Sequence, residues 1–332
     1  MGVTSPGNPQ GGGAVQVFIN PAAGGGRARR LWPRYAAALQ QHGTTLVVHW
    51  TQAPGEATAI AATAWAAGER SFLAVGGDGT VNEVLNGLAA AFGSTSPTPA
   101  TDAPCLAVVP AGTGNDWAHQ LGLPEHPLDW ARCLATAPRR RHDVGRLRFA
   151  DGRLHYFVVE AGAGFDTHVL GLLSRRGPRQ LAYVSALLRG LFSFQAPALS
   201  LELQQLEDGR AGLTLGSDRS MVAFGANGPW TGGGMHIAPG ARDDDGWLDF
   251  LTVRDGGPIL NALRLPQLFN GRLLQHPQVQ SARARRARLQ LTPPMAVQCD
   301  GQVAGMTPID FDLLPGALLV PQAAVPSQSP PR

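Results

Sequence analysis

Between Val15 and Val109, short apolar runs alternate with segments whose apolar residues recur at helical spacing. Val15–Ile19, Thr45–His49, Ser71–Val75 and Leu106–Val109 read as strands. Arg27–His42 reads as a helix, with Leu31, Tyr35 and Leu39 on one stripe, and Glu56–Ala67 as an alanine-rich second one. Val81–Ala91 reads as a third, with Val81, Val84, Leu85 and Leu88 sharing a face. Strands alternating with helices predict an α/β fold: a doubly wound parallel sheet with helices on its faces. In such sheets ligands bind beyond the C-terminal ends of the strands.

The pattern changes near residue 145. Leu154–Glu160, Leu199–Leu206, Ser220–Ala226, Trp247–Val253, Ala287–Leu291, Met295–Cys299 and Ile309–Leu313 are short β-like runs separated by turn residues. They predict a β-rich, sandwich-like second domain, with helical insertions at Val169–Leu173, Gln180–Phe192 and Ile259–Leu274. Residues 1–13 and 322–332 are rich in Gly, Pro, Ser and Gln and read as disordered tails. The expected division is a nucleotide domain over 14–144 and a substrate domain over 145–321, with the site in the cleft between them.

Three glycine-rich loops follow strands of the first domain: Asn20-Pro21-Ala22-Ala23-Gly24-Gly25-Gly26, Gly76-Gly77-Asp78-Gly79-Thr80, and Pro110-Ala111-Gly112-Thr113-Gly114-Asn115-Asp116. Glycine lets backbone N–H groups approach a phosphate, and a following helix presents its positive end. Neither G-x-G-x-x-G nor the P-loop pattern with its lysine is present. All 27 basic residues are arginine, so phosphate charge must be met by backbone, arginine or metal.

Composition narrows the classes. With 44% hydrophobic and 15% charged residues the chain can bury a sizeable core. A net charge of +3 suits an anionic substrate or a membrane surface and does not call for nucleic acid. Three dispersed cysteines argue against a disulfide framework or a zinc site. No apolar run is long enough to span a bilayer and no signal peptide is legible, so a cytoplasmic protein is expected.

Further blocks accompany the loops: Phe18-Ile19-Asn20-Pro21, Thr51, Asp143-Val144-Gly145, Gly162-Ala163-Gly164-Phe165-Asp166, Pro239–Asp249, and Gln298-Cys299-Asp300-Gly301 followed by Thr307-Pro308. In order and spacing they resemble the diacylglycerol kinase catalytic-domain superfamily, which includes sphingosine kinases and bacterial lipid kinases. The resemblance covers nearly the whole chain. It implies transfer of the γ-phosphate of ATP to a lipid hydroxyl, at the inner face of the membrane. Nucleotide contacts would fall on Asn20, Thr51, Gly76, Gly77, Asp78, Gly79, Thr80, Val81, Asn82, Gly112 and Thr113, with N–H groups of Gly77, Gly79 and Thr80 cradling phosphate oxygens. Asp78 facing a phosphate needs Mg²⁺ or a structural hydrogen bond, because two anions in contact repel; a turn-stabilising side chain is the plainer reading. Asp116 and Asp143 are further candidates for magnesium. Their plainer readings are a helix cap and a surface ion pair behind Arg139-Arg140-Arg141.

On the acceptor side the family carries Asp-Gly-Glu where this chain reads Asp300-Gly301-Gln302. Gln302 cannot act as a base, which leaves Asp300 as the carboxylate expected to take the hydroxyl proton. The resemblance also implies a second, structural magnesium in the acidic turn Asp243–Asp249, held by Asp245 and the carbonyls of Arg242 and Trp247. Leu181, Tyr183, Val184, Leu187, Leu188, Leu191 and Phe192, with Arg175, Arg176, Arg179 and Arg189 nearby, suit core packing, an acyl-chain cleft or interfacial docking. Arg283, Arg285, Arg286 and Arg288 read as a solvated strand face or a headgroup-binding cluster. Two rivals stand beside the lipid kinase: an NAD kinase-like enzyme, which shares the Gly-Gly-Asp-Gly-Thr turn, and a catalytically impaired nucleotide- or lipid-binding protein, which Gln302 would permit. The acceptor lipid and the oligomeric state are not set by these residues.

Overall fold

The computed structural model describes residues 14–93, 102–172 and 179–323, without the side chains of 179–184. Almost all of both expected tails lies outside the described residues, as do Arg175 and Arg176 and the side chains of Arg179, Leu181, Tyr183 and Val184.

The N-terminal part runs β1 (Val15–Ile19), α1 (Ala23–Gln41), β2 (Leu46–Trp50), α2 (Glu56–Ala66), β3 (Ser71–Gly76), α3 (Asp78–Gly87), β4 (Cys105–Pro110), α4 (Asp116–Gln120) and α5 (Pro127–Thr136). The four strands are parallel in the order β2-β1-β3-β4. Alternate residues enter opposite cores. Val17, Ile19, Leu73, Val75, Ala107 and Val109 pack under α1 and α5. Phe18, Phe72, Ala74, Leu106 and Val108 pack under α2 and α3. Both faces of β1, β3 and β4 are therefore dry, which is why these strands read as unbroken apolar runs. At the start of α1, Gly24, Gly25 and Gly26 are left-handed, with φ of +56°, +66° and +85°. The right-handed helix thus begins at Arg27, where the spacing places it.

The remainder is β5 (Arg139–Phe149), β6 (Leu154–Phe157), β7 (Glu160–Gly164), α6 (Phe165–Leu172), α7 (Arg179–Ser193), β8 (Ala198–Leu206), β9 (Gly212–Ser217), β10 (Ser220–Ala226), β11 (Trp230–Thr231), β12 (Met235–His236), β13 (Leu248–Arg254), α8 (Pro258–Arg264), β14 (Val279–Thr292), β15 (Ala296–Cys299), β16 (Gln302–Met306) and β17 (Ile309–Pro321). Its strands pair antiparallel around a core of Phe157, Leu201, Leu203, Phe250, Leu289 and Phe311. The opposite face of β10 and β13 is covered by α6, α7 and α8 through Phe165, Val169, Ala186 and Leu191. The fold is thus mixed α/β, with a parallel N-terminal sheet and a β-rich C-terminal part.

Three departures from the expected elements matter. β14 is 14 residues long rather than a short run, and its arginines alternate with the buried Ala284, Ala287 and Leu289. They face carboxylates: Arg283 meets Asp245, Asp249 and Glu207, Arg286 meets Asp312, and Arg288 meets Asp310. This is an ion-paired strand face. In addition, β5 and β17 form a long ribbon that runs through both parts, and β17 also pairs with β4 at Leu319 and Cys105. The expected boundary at 144/145 lies inside β5. The expected helix over Ile259–Leu274 is interrupted at Pro266, leaving α8 and two short 3₁₀ turns.

Candidate active site

The three glycine loops meet beyond the C-terminal ends of β1, β3 and β4. A Cβ on Gly24 would collide with the carbonyl oxygen of Ala111. One on Gly77 would stand 2.9 Å from the Cα of Gly112, and one on Gly112 would strike Gly77. Main chain packs on main chain, so only glycine fits. The result is a floor of closely packed main chain at the N-terminus of α3, where first-turn N–H groups have no intrahelical acceptor. Thr113 is exposed above it. Asn20 Oδ1 accepts the Ala22 N–H at 3.1 Å and shapes the first loop. Thr51 donates its buried hydroxyl to Ile19 O at 3.2 Å, tying the end of β2 to that of β1.

Not every loop residue is free for phosphate. The Thr80 N–H donates to Gly77 O at 2.9 Å, and its hydroxyl lies against the Cα of Gly76. Of the three N–H groups expected to cradle phosphate, this one is spent inside the turn. Val81 is 1% exposed and packs in the core. Asn82 is buried and bridges to the second part of the molecule: its Nδ2 donates to Tyr156 O and Asp300 Oδ2, both at 3.0 Å.

Asp78 and Asp116 come together across Gly114. A Cβ on Gly114 would lie 3.0 Å from Asp78 Oδ2 and 3.2 Å from Asp116 Oδ2. Asp78 Oδ1 accepts the Trp117 N–H at 3.1 Å. Asp116 accepts from Gly233 N at 2.9 Å and Gly234 N at 3.2 Å. Burial raises both pKa values, against the opposing backbone donors at Asp78. Asp116 reaches about 7 through burial and then the charge of Asp78. Two acceptor-only oxygens facing one gap call for a shared proton or a cation. No third His, Cys, Asp or Glu joins them in a metal-binding group among the described residues. A pair of carboxylates suits magnesium, which takes one or two from the protein and the rest from phosphate and water.

Asp300 is 4% exposed, and its carboxylate is fully engaged. Oδ1 accepts from Val159 N at 2.9 Å and Glu160 N at 3.1 Å; Oδ2 accepts from Val158 N at 3.1 Å and Asn82 Nδ2 at 3.0 Å. Burial outweighs these donors and lifts its pKa to about 6. Gln302 is different. It is exposed, and its Nε2 rests against the Cα of Gly79 on the glycine floor.

Asp143 stands apart from this pair. It accepts from Gly246 N and Gly316 N, each at 2.7 Å, and fastens two turns together. Asp245 accepts from the Arg283 guanidinium and from Trp247 N, and Arg285 donates to Gly246 O. Arg242 pairs with Asp244. The cation that Asp245 meets in this arrangement is therefore an arginine.

Sequence reasoning missed three participants. The turn Gly232-Gly233-Gly234, with φ of +59°, +78° and +110°, delivers the N–H groups to Asp116; its glycine run was a legible cue. Glu160 is 5% exposed, accepts from Thr231 and from Gln298 Nε2 at 2.9 Å, and is raised to about 8 by burial. The Asn82–Asp300 contact joins residues 218 apart and has no local signature.

Residues 14–147 match the diacylglycerol kinase catalytic domain, and residues 157–322 match the YegS C-terminal NAD kinase beta sandwich-like domain. The diacylglycerol kinase of Mycobacterium tuberculosis is 31% identical over 93% of this chain and 94% of its own length. This chain belongs to the diacylglycerol kinase catalytic-domain family. The diacylglycerol kinase of Bacillus subtilis is 27% identical over 90% of this lipid kinase and 92% of its own chain. A crystal structure of a diacylglycerol kinase from Bacillus anthracis shares the fold, with a TM-score of 0.67 at 20% identity over 94% of this chain and 97% of that one. Family membership favours the lipid kinase over the NAD kinase-like rival.

Proposed function

We propose that this lipid kinase transfers the γ-phosphate of ATP to the hydroxyl of a diacylglycerol-like lipid at a membrane surface. The observation that carries the reading is the pair of carboxylates of Asp78 and Asp116, whose Oδ2 atoms approach the same side of Gly114 beside the main-chain floor. ATP would lay its phosphates on that floor, against Gly77, Gly79, Gly112 and Thr113, with Asn20 and Thr51 shaping the loops around it. Asp78 and Asp116 would hold Mg²⁺, which neutralises charge on the phosphates. The names of the curated relatives support a diacylglycerol-like acceptor over a sphingoid one.

The role expected of Asp300 changes. With two donors on each oxygen it has no open lone pair facing a substrate, and it serves as a positioning residue that fastens the β15–β16 turn to α3. Gln302, carried by that turn, orients the lipid hydroxyl. Phosphoryl transfer with a loose transition state depends more on positioning than on base strength, and glutamine serves this purpose for attacking water in other phosphoryl-transfer enzymes.

Incubation with labelled ATP, Mg²⁺ and, separately, diacylglycerol, sphingosine and NAD⁺ tests the reading. Label is expected in the first alone, and Asp78→Asn should remove it while leaving the fold intact. Labelled NADP⁺, or an unaffected Asp78→Asn, would overturn it. Gln302→Glu should raise kcat by about a hundredfold, the low end of what a positioned general base contributes. ATP binding with no lipid product from either form would instead support the catalytically impaired alternative.

A further inference from the structure

We propose that the outer face of α7 and α8 docks this enzyme on an anionic lipid bilayer; the lipid-kinase reading explains why it would do so. The two helices pack against each other, and each is apolar on two sides. Inward, Ala186, Leu187 and Leu191 of α7 and Ala262 of α8 close the core over β10 and β13. Outward, Leu188 and Phe192 lie one turn apart, 52% and 77% exposed, and Ile259 and Leu263 likewise, 75% and 70% exposed. Phe192, Ile259 and Leu263 are the most exposed large hydrophobic side chains among the described residues. Clustered exposure of this kind marks an interaction surface rather than the ordinary scatter of apolar residues.

The patch is built rather than frayed. A helix as short as α8 has little stability of its own. Buried Asn261 donates to Asp255 at 2.7 Å and accepts from Gly256 N at 3.1 Å, while buried Arg264 donates to Arg254 O at 3.1 Å. These bonds hold Ile259 and Leu263 in water instead of letting the helix collapse inward.

Charge selects the occupant. None of the chain's 24 acidic residues falls between Thr167 and Leu201 or between Gly256 and Cys299, the two stretches that carry the patch. Arg189 and Arg272 are exposed there, and Arg189 donates to the carbonyls of Ser185 and Leu172 rather than to a carboxylate. Apolar side chains at the headgroup boundary with arginines against lipid phosphates are the arrangement of an interfacial helix pair. A second copy of the chain would bring the same cations to a two-fold contact and be repelled.

Sedimentation of the full chain with vesicles, in the absence of nucleotide, tests docking independently of catalysis. Binding is expected to vesicles of phosphatidylcholine with phosphatidylglycerol, and weakly to phosphatidylcholine alone. Phe192→Ser and the pair Ile259→Asn with Leu263→Asn should each lower partitioning by about tenfold. Arg189→Glu should lower it for the anionic vesicles only. Thermal unfolding and turnover of a short-chain diacylglycerol dispersed as monomers should match the wild type. Wild-type protein that ignores anionic vesicles, or apolar-patch variants that bind them equally well, would overturn the proposal. So would variants that dissociate a wild-type oligomer while still binding vesicles, since the patch would then be a self-association face. Docking that behaves as expected in a protein that phosphorylates no lipid would leave this inference standing and sink the proposed activity.

Discussion

Asp116 shows how burial sets the chemistry of one side chain. Its pKa of about 7 lies well above the usual carboxylate range near 4. The folded chain therefore holds this proton more tightly than the unfolded chain does. The resulting stability is complete below about pH 4 and is lost as pH rises through about 7. Glu160, raised to about 8, and Asp300, raised to about 6, act in the same direction. Calorimetric melting without ligands should accordingly show Tm falling from about pH 5 to about pH 8. Asp116→Asn should flatten part of that slope and weaken magnesium-dependent nucleotide binding. A Tm that climbs over this range would contradict the assignment.

The turns impose a different constraint, because their glycines are not equivalent. Gly77 and Gly112 touch through their Cα atoms, so an added methyl has only rigid main chain to displace. Gly77→Ala or Gly112→Ala should cost about 1–3 kcal/mol, the usual penalty of overpacking, and abolish ATP binding. Gly25 has nothing within 4 Å of its would-be Cβ and carries only its left-handed φ of +66°. Gly25→Ala should cost about 1–2 kcal/mol and leave ATP affinity within threefold or so. Thermal melts and isothermal titration of the three variants separate the cases. Equal losses of ATP affinity would mean that the loops do not pack as described.

Asp300 joins the two parts of the molecule. It draws donors from α3, from the turn between β6 and β7, and from the start of β7. Removing the carboxylate leaves buried donors unpaired, each worth about 1–3 kcal/mol. Asp300→Ala should lower Tm, speed hydrogen exchange at residues 158–160 and 298–302, and raise KM for the lipid more than for ATP. Asp300→Asn, which keeps the acceptor oxygen, should recover part of each effect. Loss of kcat in both variants with exchange unchanged would return Asp300 to a direct chemical role.

The parallel sheet was legible from the residues because its signals are local. Both faces of β1, β3 and β4 are buried, so each strand appears as an apolar run, and left-handed or crowded backbone at the strand ends appears as glycine. The family resemblance followed from those turns and their spacing. What local pattern does not carry is pairing between distant segments. The length of β14 was hidden because its arginines face partners on other strands. The β5–β17 ribbon joins residues more than a hundred positions apart. Thr80 and Asn82 looked like nucleotide contacts; the local turn holds Thr80 against Gly76, and tertiary packing carries Asn82 onto Asp300. Sequence determined the glycine floor and the acidic residues beside it, since backbone crowding admits one residue type. Only the folded chain decided which carboxylates face each other across Gly114 and which, like Asp300, take two donors on each oxygen, because that depends on which distant segments meet.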